Sequence, residues 1–210
     1  MSAISGSKAL IKLTSTAATE STGEAASLVS GTTATYQIDD TAKRHWSRDD
    51  AAFPRFEVDG STVAGLTITD VNYVQGIVTL SSSPAAGTYT VDVNYRTASN
   101  LAQGRAWEVS IDAGIIDTSV FGSTWREAIP ALRGASVTLG RFWWDPSIYD
   151  NMNIGEEVIV SLWTESTGTN RYEGLGYFSR DQIQTQVDAA IAEGVDIQID
   201  GELYYTTTTV

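Results

Sequence analysis

Cysteine is absent from this chain, which excludes disulfides and thiolate metal sites. Stability must therefore come from packing, or from assembly with further copies. Histidine occurs once. A metal site or a Ser-His-Asp triad would need His45 to act with partners, and its neighbours Arg44 and Trp46 suit a surface loop packed beside an aromatic. No run of about 18 apolar residues occurs, so no membrane span is expected. The start, MSAISGSKALIKL, lacks a charged segment followed by a long apolar one. It does not read as a signal peptide, and synthesis in a cytoplasm is expected. Lysine is missing after Ala106. From there on, sixteen Asp and Glu face five Arg, which accounts for eleven of the thirteen surplus negative charges. A surface of this sign repels phosphate. That disfavours direct nucleic-acid binding but not the passage of DNA without sticking.

Chemistry-bearing constellations are equally scarce. Carboxylates adjoin at Asp39-Asp40, Asp49-Asp50 and Glu156-Glu157. A glycosidase needs two carboxyls facing each other about 5–9 Å apart; neighbours on a strand point to opposite faces, so solvated turns are expected instead. EF-hand spacing is missing around Asp49-Asp50. Gly174-x-Gly176 does not extend to a phosphate-binding loop and sits in a strand pattern. No catalytic, metal or cofactor site is expected. The six tryptophans suit core and interface packing, with a sugar-binding platform as the alternative.

At 210 residues the chain is long enough for one or two domains, burying about 70% of its unfolded surface. Its periodicity is that of strands. Lys8–Leu13 is the first strand candidate. Residues 14–34, almost all Ser, Thr, Ala, Gly and Glu, have the composition of a mobile arm. Residues 35–98 form a unit of their own. Asp59-Gly60 suits a type I′ turn, two short strands meet at Gln75-Gly76, and Thr88–Tyr95 alternates cleanly. The unit carries eight acidic against five basic residues, nearly balanced, so a boundary is expected near Ser99-Asn100. Residues 99–210 form the second part. Trp107, Val109 and Ile111 alternate with Glu108, Ser110 and Asp112, a half-buried strand. Gly114 then allows a kink. Thr124-Trp125-Arg126-Glu127 has capping-box spacing, which predicts a short helix ended by Pro130 and Gly134 before a strand over Ala135–Trp144. Pro146 opens a second short helix through about Asn153. Strands follow at Glu157–Trp163, Arg171–Asp188 and Val195–Tyr205. The expected fold is an all-β sandwich or barrel with one or two short helices.

The order strand, D-x-S-x-F-G, W-R-E, I-P-x-L-R, strand, carried by Asp117, Ser119, Phe121, Gly122, Trp125, Arg126, Glu127, Ile129, Pro130, Leu132 and Arg133, resembles the major tail proteins of long-tailed bacteriophages. That family often has Thr at the position of Ser119 and an acidic residue at that of Ser123. The spacing alone equally suits a β-turn-helix-β unit of another β-sandwich. The 35–98 pattern is similar to an inserted β-domain of some phage tail proteins. The resemblance implies a structural virion protein, made in the host cytoplasm, that self-assembles into stacked, hexameric rings. DNA would pass through the resulting tube without specific binding. It further implies contacts with other copies and with the tape measure, terminator and tail-tip proteins, and no enzymatic activity. Phe121, Trp125, Arg126, Glu127, Ile129, Leu132 and Arg133 become candidate subunit-interface residues. Alternation selects Gln182, Gln184, Gln186, Asp188, Asp196, Gln198 and Asp200 as a polar, negative lumen face opposite Ile183, Val187, Val195, Ile197 and Ile199. The alternative is a host-attachment or carbohydrate-binding module of the virion.

Overall fold

A computed structural model describes residues 10–15, 17–101, 104–120, 124–143, 146–164, 170–185 and 189–207. It is all-β, as expected from the alternating pattern. Among the described residues fourteen strands run in chain order: β1 (Leu10–Thr14), β2 (Thr19–Leu28), β3 (Thr35–Ile38), β4 (Arg55–Val58), β5 (Ile68–Asn72), β6 (Ile77–Leu80), β7 (Tyr89–Tyr95), β8 (Ala98–Asn100), β9 (Gly104–Asp117), β10 (Ala128–Phe142), β11 (Glu157–Trp163), β12 (Arg171–Gln184), β13 (Ala192–Ile199) and β14 (Tyr204–Thr206). One α-helix, α1 (Ser147–Ile154), stands between β10 and β11, close to its expected place after Pro146. Among the described residues no helix is long and apolar enough to cross a membrane.

The chain divides into two compact units, Lys12–Asn100 and the remainder. In the Lys12–Asn100 unit, six strands pair in the order β4-β7-β2-β3-β6-β5. Its core is built on Tyr36, Ile38, Trp46, Val78, Val91 and Val93, with Tyr36 packed against both Phe56 and Tyr89. Asp59 and Gly60 both have positive φ, the signature of the type I′ turn anticipated there. The expectation of a mobile arm over 14–34 is corrected, since Thr19–Leu28 is a ten-residue strand between β7 and β3. Small β-branched and hydroxyl residues bury little side chain, but their backbone groups still pair. Here a strand stands on each side to supply the partners. Buried Asp92 fixes β2 further by accepting from the Gly23 amide at 2.8 Å.

The other unit carries the sheet order β11-β12-β13-β10-β9, with β14 also on β12. β11 is buried from Glu157 through Leu162, a strand covered on both faces, and its near-continuous apolar sequence reflects that. Along β13 the burial alternates, with Val195, Ile197 and Ile199 inside, as the sequence pattern requires. β12 and β13 approach closely because of Gly176: a Cβ there would lie 2.2 Å from the Gln198 carbonyl oxygen, a contact no side chain tolerates. Gly176 thus serves backbone approach, while a Cβ on Gly174 would meet the Ile199 and Leu203 side chains at 3.0 Å.

Lys12 pairs with Asn100 and Thr14 with Ala98, so the Lys12–Asn100 unit begins and ends at adjacent points. Replacement of residues 14–98 by a short Gly/Ser linker is expected to leave the other unit folded. Thermal melting and near-ultraviolet circular dichroism of the shortened chain check this. Loss of the cooperative transition would mean that the excised unit is part of the same folding core.

Candidate assembly surface

The helix anticipated over 124–134 does not form. Residues 128–142 make one continuous strand, β10, hydrogen-bonded to β9 as a long hairpin. A helix with Pro130 in its second turn would have little internal hydrogen bonding, whereas pairing with β9 satisfies the same backbone. Pro130 is accommodated beside a bulge, where the register shifts between Pro130 and Arg133 and where a strand tolerates a missing donor. Gly114, opposite the bulge, lies so close to Ala131 that an added Cβ would sit 3.1 Å from the Ala131 Cβ.

The residues of the recognised motif close the turn of this hairpin. Thr118 donates its amide to the Glu127 carbonyl at 2.9 Å. The Glu127 amide donates to the Ser119 hydroxyl at 3.0 Å, and the Ser119 amide to the Asp117 carboxylate at 2.9 Å. Hydrogen bonds from the Ser119 side chain and backbone hold the Asp117 carboxyl below its usual range, and Arg126 lies 3.6 Å from it. Asp, Ser, Arg and Glu at this spacing therefore make a loop-closing network, not a helix cap. Phe121 falls outside the described residues.

From Ile111 to Asp117 and from Ala128 to Pro130, both faces of the hairpin are exposed. Its apolar side chains are large. Trp125 is 83% exposed and Leu132 95%, with Ile115, Ile116, Val120 and Ile129 also open. Leu132 stands on the bulge. A concentration of this kind marks an interaction surface, since isolated soluble subunits rarely expose contiguous apolar patches. Ile115, Ile116 and Val120 were not singled out in the sequence, and Ile111, expected on the buried face of a half-buried strand, is 59% exposed. The adjacent pair Ile115-Ile116, which breaks the alternation of β9, is the signal that could have found them. Of the other interface candidates, Arg126 and Glu127 belong to the turn network, and exposed Arg133 pairs with Ala113 beside the bulge.

Two strand edges are open as well. β9 ends the sheet order. β11 accompanies β12 only as far as Tyr177, so 178–184 of β12 pairs with β13 on one side alone among the described strands. The segment β12-β13-β10-β9 is thus a four-stranded antiparallel sheet with both edges available.

One face of that sheet is polar. Cross-strand partners share a face, which groups Arg180 with Asp196, Gln182 with Gly194, Thr138 with Asp196 and Glu108, and Ser136 with Gln198 and Ser110. Gln182, Gln184, Asp196 and Gln198 thus come together as alternation required. Asp200 lies just past β13 and is exposed; Gln186 and Asp188 fall outside the described residues. Two points differ from expectation. Ile183, assigned to the core face, is 50% exposed, because β12 there runs beyond the cover of β11. The face is also less negative than the candidate residues suggest. Arg180 shares it, 3.9 Å from Asp196, and Arg105 lies over the Phe142 ring at 4.8 Å. With Glu108, Asp112 and Asp196 set against two arginines, the face is nearly balanced.

The adjacent carboxylates also have local roles. Asp40 caps the 3-10 turn Thr41–Lys43 through the Ala42 amide, Asp50 accepts from the Ala52 amide, and Asp49 pairs with buried Arg96 at 2.5 Å. Among the described residues no cluster of three or more His, Asp or Glu could hold a metal ion.

No protein-family model matches the sequence, and no curated protein does. Solved structures with a similar chain include the tail of an empty gene transfer agent particle, determined by helical refinement with C6 symmetry. The TM-score is 0.45 at 18% identity, covering 53% of this chain and 87% of that one. A second is the virion of a native gene transfer agent particle, with TM-score 0.45 at 17% identity, covering 52% and 89%.

Because Trp125 is 83% and Leu132 95% exposed, Trp125→Ala and Leu132→Ala are expected to change the subunit's stability by no more than about 0.5 kcal/mol. Urea denaturation of the dispersed subunit measures this. A loss of several kcal/mol would place these side chains in the subunit's own core.

Proposed function

We propose that this protein is a tail-tube subunit of a long-tailed phage or phage-like particle, one that assembles with copies of itself into stacked rings. The observation that carries the reading is the four-stranded sheet β12-β13-β10-β9, open at both edges and extended by an exposed apolar hairpin. Its two edges differ, so edge-to-edge joining between copies is heterologous, and such joining closes into a ring when the rotation allows. Four is an even number of antiparallel strands. β9 of one copy therefore runs antiparallel to β12 of the next in the same orientation, and the ladder continues without a break. Each junction satisfies backbone groups that would otherwise invite uncontrolled pairing. The motif resemblance adds the expectation of six copies per ring. The hairpin, with Trp125 and Leu132 at its far end, reaches to a neighbouring copy, within the ring or in the ring above. The polar face carrying Gln182, Gln184, Asp196 and Gln198 lines the channel, where a nearly balanced wall of amides and paired charges gives DNA phosphates no net attraction. The work is non-covalent, and the remaining partners are the tail proteins at either end and the tape measure inside. The Lys12–Asn100 unit is a separable addition to this tube-forming part.

Two measurements test the reading. Purified protein at high concentration should form rings or tubes visible by negative-stain microscopy, and Trp125→Ala or Leu132→Asp should block them. Truncating an interface anchor costs about 2 kcal/mol or more, roughly thirtyfold in association. A wild-type chain that remains monomeric at every concentration, or variants that assemble normally, would remove the hairpin from the assembly. The channel face is read separately by particles carrying Gln184→Lys and Asp200→Lys. Tubes should form, while DNA delivery slows as the added cations hold phosphate. Undiminished infection would put this face outside the channel.

A further inference from the structure

The inner face of the β10-β13-β12 sheet contains three charged side chains among apolar ones. Arg141 on β10 and Glu193 on β13 are direct cross-strand partners, 2% and 3% exposed. The guanidinium donates from Nε to one Glu193 oxygen and from Nη2 to the other, the second at 3.2 Å, a fork-on-carboxylate arrangement. That pair is neutral by itself. Asp181 on β12 stands opposite Val195, two residues from Glu193 and on the same face. It is partly buried, and its Oδ1 is sealed from solvent without a hydrogen-bond partner. Two carboxyl groups therefore face one guanidinium.

Among the described residues no second cation bears on Asp181. Arg105 on β9 borders the hollow near Arg141 and Glu193, but its guanidinium lies over the Phe142 ring. Arg180 is on the opposite face with Asp196. α1 packs on β12 and carries Asp150, which is exposed. With both carboxyls ionised, the cluster holds one uncompensated negative charge at a site that solvates it poorly. A proton on Asp181 removes that charge and supplies a donor for Glu193.

We propose that Asp181 carries a proton in the folded sheet, donated toward Glu193, and that its release loosens the free half of β12, making this assembly edge sensitive to pH. The importance of that edge for assembly rests on the tail-tube reading; the proton itself does not. Burial and the neighbouring Glu193 carboxylate push the Asp181 carboxyl above its ordinary 3.8, while Arg141 opposes them. A folded value above the unfolded one gives stability that is complete below 3.8 and is lost as pH rises through the folded value. Local stability of β12 and β13 is therefore greater in mild acid than at pH 8, the reverse of the trend set by Glu24 and Asp49 elsewhere in the chain, whose carboxyls are held low.

The test uses the full-length, unassembled protein. Carbon-13 carboxyl titration of the wild type should give Asp181 a midpoint above 3.8. A midpoint at or below 3.8 overturns the proposal without any variant. Hydrogen-exchange protection factors of β12–β13 amides should fall as the pH rises from 3.8 to 8, by up to roughly tenfold for each unit of raised titration. In Asp181→Asn, which keeps a donor and carries no charge, protection at pH 8 should rise and the pH step should vanish. An unchanged step in that variant, or protection lowered equally at both pH values, would also overturn it. Assembly of the same variant, followed by light scattering at pH 8, reads the edge separately. If protection responds and assembly does not, the proton stands and β12 is not the assembling edge.

Discussion

A β-strand leaves half of its backbone donors and acceptors to a neighbour, and the organisation of this chain follows from where those neighbours are. Inside each unit the demand is met by antiparallel partners. Even Thr19–Leu28, with hardly any apolar side chain to contribute, is held by strands on both sides. At β9 and at the end of β12 the chain supplies no neighbour among the described strands. Exposed edges of this length are usually blunted by charge, proline or a covering segment. Here the edge strand β9 instead continues into a hairpin with isoleucine on both strands.

The hairpin shows how local chemistry serves that end. Asp117, Ser119, Arg126 and Glu127 close its turn, and Trp125 beside them is 83% exposed. The Gly114–Leu132 bulge adds an extra residue to β10, locally increases twist and sets Leu132 outward. A rigid backbone carrying exposed anchors has little ordering entropy to lose on association. Stability within the unit is supplied elsewhere, by the doubly buried β11 and by the close β12–β13 contact at Gly176.

The buried charges sit in the same sheet as the open edges. Arg141 and Glu193 are directly paired across β10 and β13, and Asp181 reaches the same cluster from β12. A polar group at such a position constrains register, because a one-residue slip would carry it to the other face and break its pairing. The cluster thus joins three of the four strands by electrostatics as well as by backbone hydrogen bonds.

The sequence by itself determined the all-β class, the strands β7, β11 and β13, the Asp59-Gly60 turn, the helix after Pro146 and the shared face of Gln182, Gln184, Asp196 and Gln198. In each case the signal is local: a period of two, a turn dipeptide with positive φ, or a proline at a helix start. Only the tertiary structure decided the rest. Residues 19–28 became a strand because two partners flank them, a fact absent from their own composition. Residues 124–127 had a capping spacing, yet 128–134 joined β10, because β9 offered hydrogen bonds on either side of the bulge and a short proline-interrupted helix could not. Ile183 lost its core position because β11 ends at its register partner Tyr177, and Arg180 joined the polar face through pairing with Asp196. Local pattern fixes which way side chains alternate; which strand lies alongside, and where it stops, is settled by pairing between residues distant in sequence.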